Sequence, residues 1–380
     1  MDWSDIRSRF PAATDRVYVD AAAIGAIPQV ATDAAVAAHR LIGEQGILAI
    51  EPLLARQAAA RASVARLLGA EVEDVAFTGC TSESMNWLAM MAGQSREGSD
   101  ARDTRDEVLL LADEFPSSTL PWLHHGFRPV WVQPRADSTY PVETILAAVT
   151  DRTRAVVTSQ VQYRTGARTD VGALSGPLAE RGVMHVINAT QAAGVIRQDF
   201  RGWGASAMAV TPLKWLCSGL GNGILLLSPE LRASCRMPVT GWLSQVDPFA
   251  MDNTALDPRG DASALEVGGV SIARHWALGA AVDLFLSIGI DAIEARVLSL
   301  SGRLADGLRA AGAPVLTPAD DRHRSGTVSA RRPDAEAWHA RAMAAGIVHS
   351  PRGPGTLRFS PHLYNTEADI DRVLDAWATL

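Results

Sequence analysis

Short runs of apolar residues, each bounded by polar or small residues, recur through the first two thirds of the chain. Val75-Ala76-Phe77, Val108–Ala112, Arg128–Val132, Ala155–Ser159, Met184–Asn188, Ala207–Val210 and Gly223–Leu227 have the length and Val/Leu/Ile content of buried strands. Between them, Val142–Val149 and Leu174–Arg181 carry helical spacing. Before them, an Ala-rich stretch from about Val30 to Leu68 does the same. Strands alternating with helices predict an α/β fold: a mixed, mostly parallel sheet flanked by helices. Val75-Ala76-Phe77 runs into Thr78-Gly79-Cys80-Thr81-Ser82-Glu83 and an apolar helix through Met91, a strand, turn and helix N-terminus that can present N–H groups to a phosphate. Ser and Thr also cap helices without any ligand, so a plain N-cap is the alternative reading of Thr81.

The ends of the chain read differently. Phe10-Pro11 and Val17-Tyr18-Val19-Asp20 form an arm with a short strand, and Ala21–Pro28 is a small-residue loop. Ser95–Glu107 is a polar surface connection and Asp247–Asp261 a second loop. A long helical region from Ile272 to Ala311 precedes Gly326–Ala330, Ala335–Ala345, Thr356–Ser360 and Glu367–Trp377, which alternate strand and helix. The expected division is a large domain over residues 21–249. A smaller α/β domain is built from residues 1–20 and 250–380.

Composition narrows the classes. With 380 residues, 47% hydrophobic and 20% charged, the chain is an ordinary globular protein, and its net charge of −7 gives no footprint for nucleic acid. No stretch reaches the length of a membrane span, and the N-terminus lacks a basic and apolar leader, so a cytoplasmic location is expected. Three cysteines, Cys80, Cys217 and Cys235, form no CxxC pair, and His124-His125 lacks ligand spacing; no metal site is expected. Of the 35 Lys and Arg residues, 34 are arginine, and Lys214 is the one lysine. A surface charge can be either side chain, but an arginine is neither a nucleophile nor a Schiff-base former. A lysine kept inside the apolar run Ala209–Leu216 therefore points to amine chemistry, against the plain alternative of a packed stem with a solvated amine.

Around that lysine the chain resembles the class V aminotransferase family of fold type I pyridoxal-phosphate (PLP) enzymes. This family includes cysteine desulfurases, cystine lyases, kynureninases and isopenicillin N epimerase-like proteins. The resemblance runs through Tyr18–Ala22, Phe77–Asn86, Asp113–Ser117, Ser159–Asp170, Asn188–Gly194, Thr211–Leu216 and Leu357–Thr366. It implies a PLP cofactor held as a Schiff base by Lys214, which also moves the substrate's Cα proton. It places Thr81, Ser82 and Thr211 at the phosphate and Gln191 at the phenolic oxygen. Phe115 falls at the stacking position, with core packing as its alternative. Arg358 would clamp the substrate carboxylate, with a surface arginine as its alternative, and Gln160 or Gln162 would face substrate. The implied assembly is a homodimer acting on a small-molecule amino-acid substrate.

Three departures from the family pattern change the expected chemistry. Asn188 stands where the family carries an aspartate facing the pyridine nitrogen, which weakens the ring as an electron sink. No cysteine follows Cys235, which disfavours a persulfide-forming desulfurase; Cys80 and Cys217 read as small packing residues. Leu213 precedes the lysine where many members have histidine. The expectation is a carbon–sulfur lyase or other β-eliminating lyase. An epimerase using Tyr163 or His362 as the opposite-face acid, an aminotransferase, and a PLP-binding protein of decayed catalysis stay open. Trp242 either lines the pocket or only packs.

Overall fold

The computed structural model describes residues 2–94, 105–269 and 272–380. Of the expected Ser95–Glu107 connection, residues 95–104 lie outside the described residues, and Glu107 opens a strand.

Seven strands make the central sheet, in the spatial order Val75–Thr78, Gly223–Leu227, Ala207–Val210, Met184–Asn188, Thr153–Ser159, Glu107–Leu111, Arg128–Val132. From Ala207–Val210 to Arg128–Val132 every pairing is parallel. Gly223–Leu227 runs antiparallel to both of its neighbours. The fold class expected from sequence is therefore present, a mixed and mostly parallel sheet. Six of the seven strands are wholly or almost wholly buried, as the unbroken apolar runs require. On one face pack Met85, Leu88 and Trp122, and on the other Val64, Leu68, Leu278 and Phe285.

The predicted Val30–Leu68 helix is two helices, Gln29–Gln45 and Ile50–Leu68, because Gly46 takes a positive φ of 55° that ends the first. The Ile272–Ala311 region likewise breaks at Gly289, φ 91°, into Ile272–Ile288 and Ile290–Ala310, bent by 84°. Among the described residues no single helix is long and apolar enough to cross a membrane. Four helices among the described residues escaped the sequence reading: Trp3–Ser8, Pro116–His124, Phe200–Trp203 and Pro229–Ser234, all short.

A second sheet of Ser350–Pro351, Thr356–Phe359 and Val328–Arg331 is antiparallel. The N-terminal strand Val17–Tyr18 pairs parallel to Ile347–Val348, and Asp20 bridges Ser360. The arm thus joins residues more than 300 positions away, and their shared core contains Val17, Val19, Trp338 and Phe359.

Candidate active site

The site lies where loops leave the carboxyl ends of the parallel strands, the expected ligand position in an open α/β sheet. Two close approaches shape it. A Cβ on Gly25 would overlap the Lys214 carbonyl oxygen, and Gly25 N–H donates to the Leu213 carbonyl at 2.9 Å. Gly194, at φ 100°, lies tight against the Trp215 carbonyl in the same way. These two glycines let the Ala21–Pro28 loop and the turn after Asn188 clasp the lysine loop from both sides.

At one end of the cleft sits the N-terminus of helix Thr81–Ala92. Cys80 is its N-cap, so Thr81 is the first helical residue and not the cap. The Thr81 hydroxyl instead meets those of Thr211 at 2.5 Å and Thr190 at 3.3 Å, and Thr190 accepts from the Thr211 N–H at 3.0 Å. Ser82 shares a hydrogen bond with Ser117 at 2.7 Å. Free helix N–H groups and converging hydroxyls form a cradle for a dianion. The one acid there, Glu83, turns back to the Gly79 N–H at 2.6 Å.

Lys214 stands further along the cleft, its Nζ 5.4 Å from the centroid of the Phe115 ring. Burial pushes the amine down from 10.5 to about 7, helped by the positive charges of Arg358 and Arg352 and opposed by Asp20. Phe115 is exposed within the cleft, edge-on to Tyr163 at 5.3 Å, so core packing does not explain it. Gln191 joins the two clasping loops: Nε2 donates to the Ala22 carbonyl at 3.1 Å, and Oε1 accepts from Trp215 Nε1 at 2.8 Å. One Nε2–H remains for a ligand. Asn188 lines the cleft with both ends of its amide engaged, by Ser118 at 2.8 Å and by the Thr190 N–H at 3.0 Å.

Arg358 is 1% exposed, which rules out a surface arginine. It donates to the Tyr163 carbonyl at 2.9 Å and faces Asp20 at 3.5 Å, while its Nε is buried with no partner. Burial lowers the guanidinium to about 10 and raises the Asp20 carboxyl. Arg358 is not among the side chains lining the cleft, and its unpartnered Nε leaves one edge of a buried cation open to a planar anion.

Other expectations are corrected. Gln160 is buried in the bend that follows the strand Thr153–Ser159 and is not among the side chains lining the cleft. Gln162 is committed to Glu114 at 3.3 Å. His362 cannot serve as an opposite-face acid, because it is fully buried, lowered by burial to about 4, and has both nitrogens used by the Trp215 carbonyl and the Leu363 N–H. Cys80 is exposed and lines the cleft, contrary to its reading as a packing residue, whereas Cys217 is buried with its thiol pushed well up. Trp242 is half exposed, lies edge-on to Phe249 at 6.1 Å and does not line the cleft. The sequence reading missed Ser117, Ser159 and Thr190, which line it. All three had the same cue, a place in a segment already singled out: Asp113–Ser117, Ser159–Asp170 and Asn188–Gly194.

Comparison with known proteins agrees in extent. The family model for class V aminotransferases matches residues 17–373. A kynureninase of Deinococcus radiodurans is 30% identical, over 97% of this chain and 90% of its own. Among solved structures, the apo cysteine desulfurase of Thermococcus onnurineus NA1 superposes with a TM-score of 0.88 at 20% identity, covering 98% of this chain and 96% of that one. The cystine C–S lyase C-DES, in complex with cysteine persulfide, gives a TM-score of 0.89 at 18% identity, covering 98% and 99%.

Proposed function

The chain belongs to the class V aminotransferase family, a family of PLP-dependent enzymes, and from that premise we propose that it is a β-eliminating lyase of an α-amino acid, cleaving a carbon–sulfur bond. PLP is its cofactor, and the residues fit it: a hydroxyl-rich helix N-terminus for the phosphate and a desolvated amine for the aldehyde. When bound, PLP supplies an electron sink for a carbanion at Cα.

The chain's own groups would do the rest. Thr81, Ser82, Thr190 and Thr211 hold the phosphate, and Lys214 holds the aldehyde carbon. Arg358 offers its free Nε edge to the substrate carboxylate. With its pKa at about 7, the Lys214 amine is neutral in about half the molecules at neutral pH and can take the Cα proton at Nζ. Phe115 and Tyr163 wall that space against water. The observation that carries the lyase reading is Asn188: a neutral amide in place of a charge favours a reaction in which the β-substituent leaves with its electron pair as the proton departs. Cys80 is the N-cap of the helix whose N-terminus forms the phosphate cradle, which supports a route without a persulfide cysteine.

Borohydride reduction of the PLP-loaded protein should put the pyridoxyl mass on the Lys214 peptide. Cystine should then release pyruvate with no keto acid added. A strict requirement for keto acid would refute the lyase in favour of an aminotransferase, and solvent deuterium at Cα with loss of optical activity would favour an epimerase. A second reading has the 30% identity to a kynureninase behind it, and turnover of kynurenine would favour it.

We further propose a cytoplasmic homodimer in which residues 21–249 form one domain and residues 1–20 with 250–380 the other. Ile47 and Leu48 are 80% and 77% exposed beside an apolar groove containing Val30, Pro52 and Trp276, which supports burial against a second copy. A monomer in sedimentation would refute the dimer.

A further inference from the structure

The three-stranded sheet carries more positive charge near the cleft than a single carboxylate clamp requires. Ser350 pairs opposite Arg358, and the Arg352 N–H donates to the Thr356 carbonyl at 2.9 Å as the hairpin turns. Residues two apart along a strand share a face, so Arg352 is the diagonal neighbour of Arg358 on the side of Ser350. Ser350 and Arg358 both reach Asp20 on that side, and Arg358 also reaches the carbonyl of Tyr163, a residue that lines the cleft. The charge of Arg352 is felt by both of the site's cations. It helps to lower the Lys214 amine, and it opposes the ionisation of Arg358 more strongly than Asp20 supports it.

Arg164 reaches the tip of the same hairpin. Its carbonyl accepts from Ser329 Oγ at 2.5 Å, and its Nη2 would lie 3.8 Å from a Cβ on Gly353. Its Nε is buried with no partner. Among the described residues, Asp20 is the one carboxylate within ion-pair distance of Arg164, Arg352 or Arg358, and it meets only Arg358, at 3.5 Å. By contrast, Arg61, Arg232, Arg296 and Arg324, also largely enclosed, each meet a carboxylate directly. Three guanidiniums against one acid leave two positive charges unmatched, and the substrate's α-carboxylate accounts for one of them.

We propose that Arg352 and Arg164 form a second anion subsite beside the Arg358 clamp, and that it takes an acid group at the far end of the substrate's side chain. The amino acid is then dianionic, with a second carboxylate, sulfinate or sulfonate on the group that leaves. This rests on the lyase reading above. A guanidinium offers such an acid paired N–H donors, and because both arginines are half-buried the contact is partly shielded from water.

Two probes that differ in charge and little in shape decide it: S-carboxymethylcysteine and its amide, S-carbamoylmethylcysteine. Binding to the PLP-loaded protein is read as a Kd from the change in cofactor absorption, and turnover as pyruvate. Wild type should bind the acid about ten- to a hundredfold more tightly than the amide, the worth of a charge-assisted contact. That ratio should fall towards one in Arg352→Gln and shrink in Arg164→Gln, and a general loss of binding cancels in it. Arg358→Gln should weaken both probes and keep the preference. Equal Kd values in wild type, a ratio that survives both substitutions, a preference lost only in Arg358→Gln, or a spectrum that neither probe changes would each overturn the subsite. Preferential binding of the acid without pyruvate would refute the lyase instead and leave the subsite standing.

Discussion

Replacing Lys214 with methionine should stabilise the protein without cofactor, and only at the low end of the pH range. The amine titrates at about 7 in the folded chain against 10.5 for the free side chain. Between those values the unfolded chain binds the proton and the folded chain does not, so stability rises with pH through that window. Below about pH 7 both states are charged and the fold carries the full cost of a buried ammonium. At about 1.4 kcal/mol per pKa unit that cost comes to about 5 kcal/mol. This is a ceiling, because the side chain keeps some contact with solvent. Methionine fills similar space with no charge. Urea unfolding of wild-type and Lys214→Met apo-protein at several pH values between about 6 and 10.5 measures the difference. The variant should be the more stable near pH 6, and the gap should close as pH rises. Tyr18, Tyr140 and Tyr364, all raised by burial, begin to titrate at the top of the range, but they are common to both proteins and cancel. A gap that ignores pH, or a variant less stable at pH 6, would refute the desolvated amine. The lone lysine provides a second check: acylation of the Lys214 peptide, followed by mass, should reach half its plateau near pH 7.

Three further outcomes are expected. Arg358→Gln should raise KM for the amino acid tens-fold or more, the equivalent of about 2–3 kcal/mol for a lost charge-assisted contact, and should raise the Lys214 labelling midpoint; an unchanged KM would exclude the clamp. Gly25→Ala should destabilise the protein by about 1–3 kcal/mol and weaken PLP retention, because its Cβ would overlap the Lys214 carbonyl; calorimetry and cofactor titration read both. Thr81→Val should raise the Kd for PLP about tenfold while leaving kcat at saturating cofactor close to wild type. An equal loss in kcat would place Thr81 in the chemistry and not in the cradle.

The central sheet was readable from sequence because its strands are buried on both faces, and burial on both faces writes itself as an unbroken apolar run. Met184–Asn188, Ala207–Val210 and Gly223–Leu227 match their expected bounds for that reason. The antiparallel direction of Gly223–Leu227 was not readable, since strand direction leaves no mark on composition. Pro116–His124 was hidden by its two prolines and its nine-residue length. Lys214, which lines the cleft, stood out in the sequence by its solitude, and Arg358, which is buried, by its motif. Gln160 adjoins the lining residue Ser159 without lining the cleft itself, since sequence proximity does not say which way a side chain points. The hydrogen bond from Asn188 to Ser118 joins residues 70 positions apart, and a single sequence carries no trace of such a contact.

The pairing of the N-terminal arm with the end of the chain also sets an order in time. Every strand of the central sheet, the phosphate cradle and Lys214 lie before residue 228, whereas Arg358 and the strand that joins Val17–Tyr18 come more than a hundred residues later. A ribosome adding about 5–20 residues per second takes roughly 7–30 s to travel from Lys214 to Arg358. Throughout that interval Asp20 and its neighbours wait without their partners. The residues of the proposed cofactor cradle are therefore made before the proposed amino-acid clamp exists.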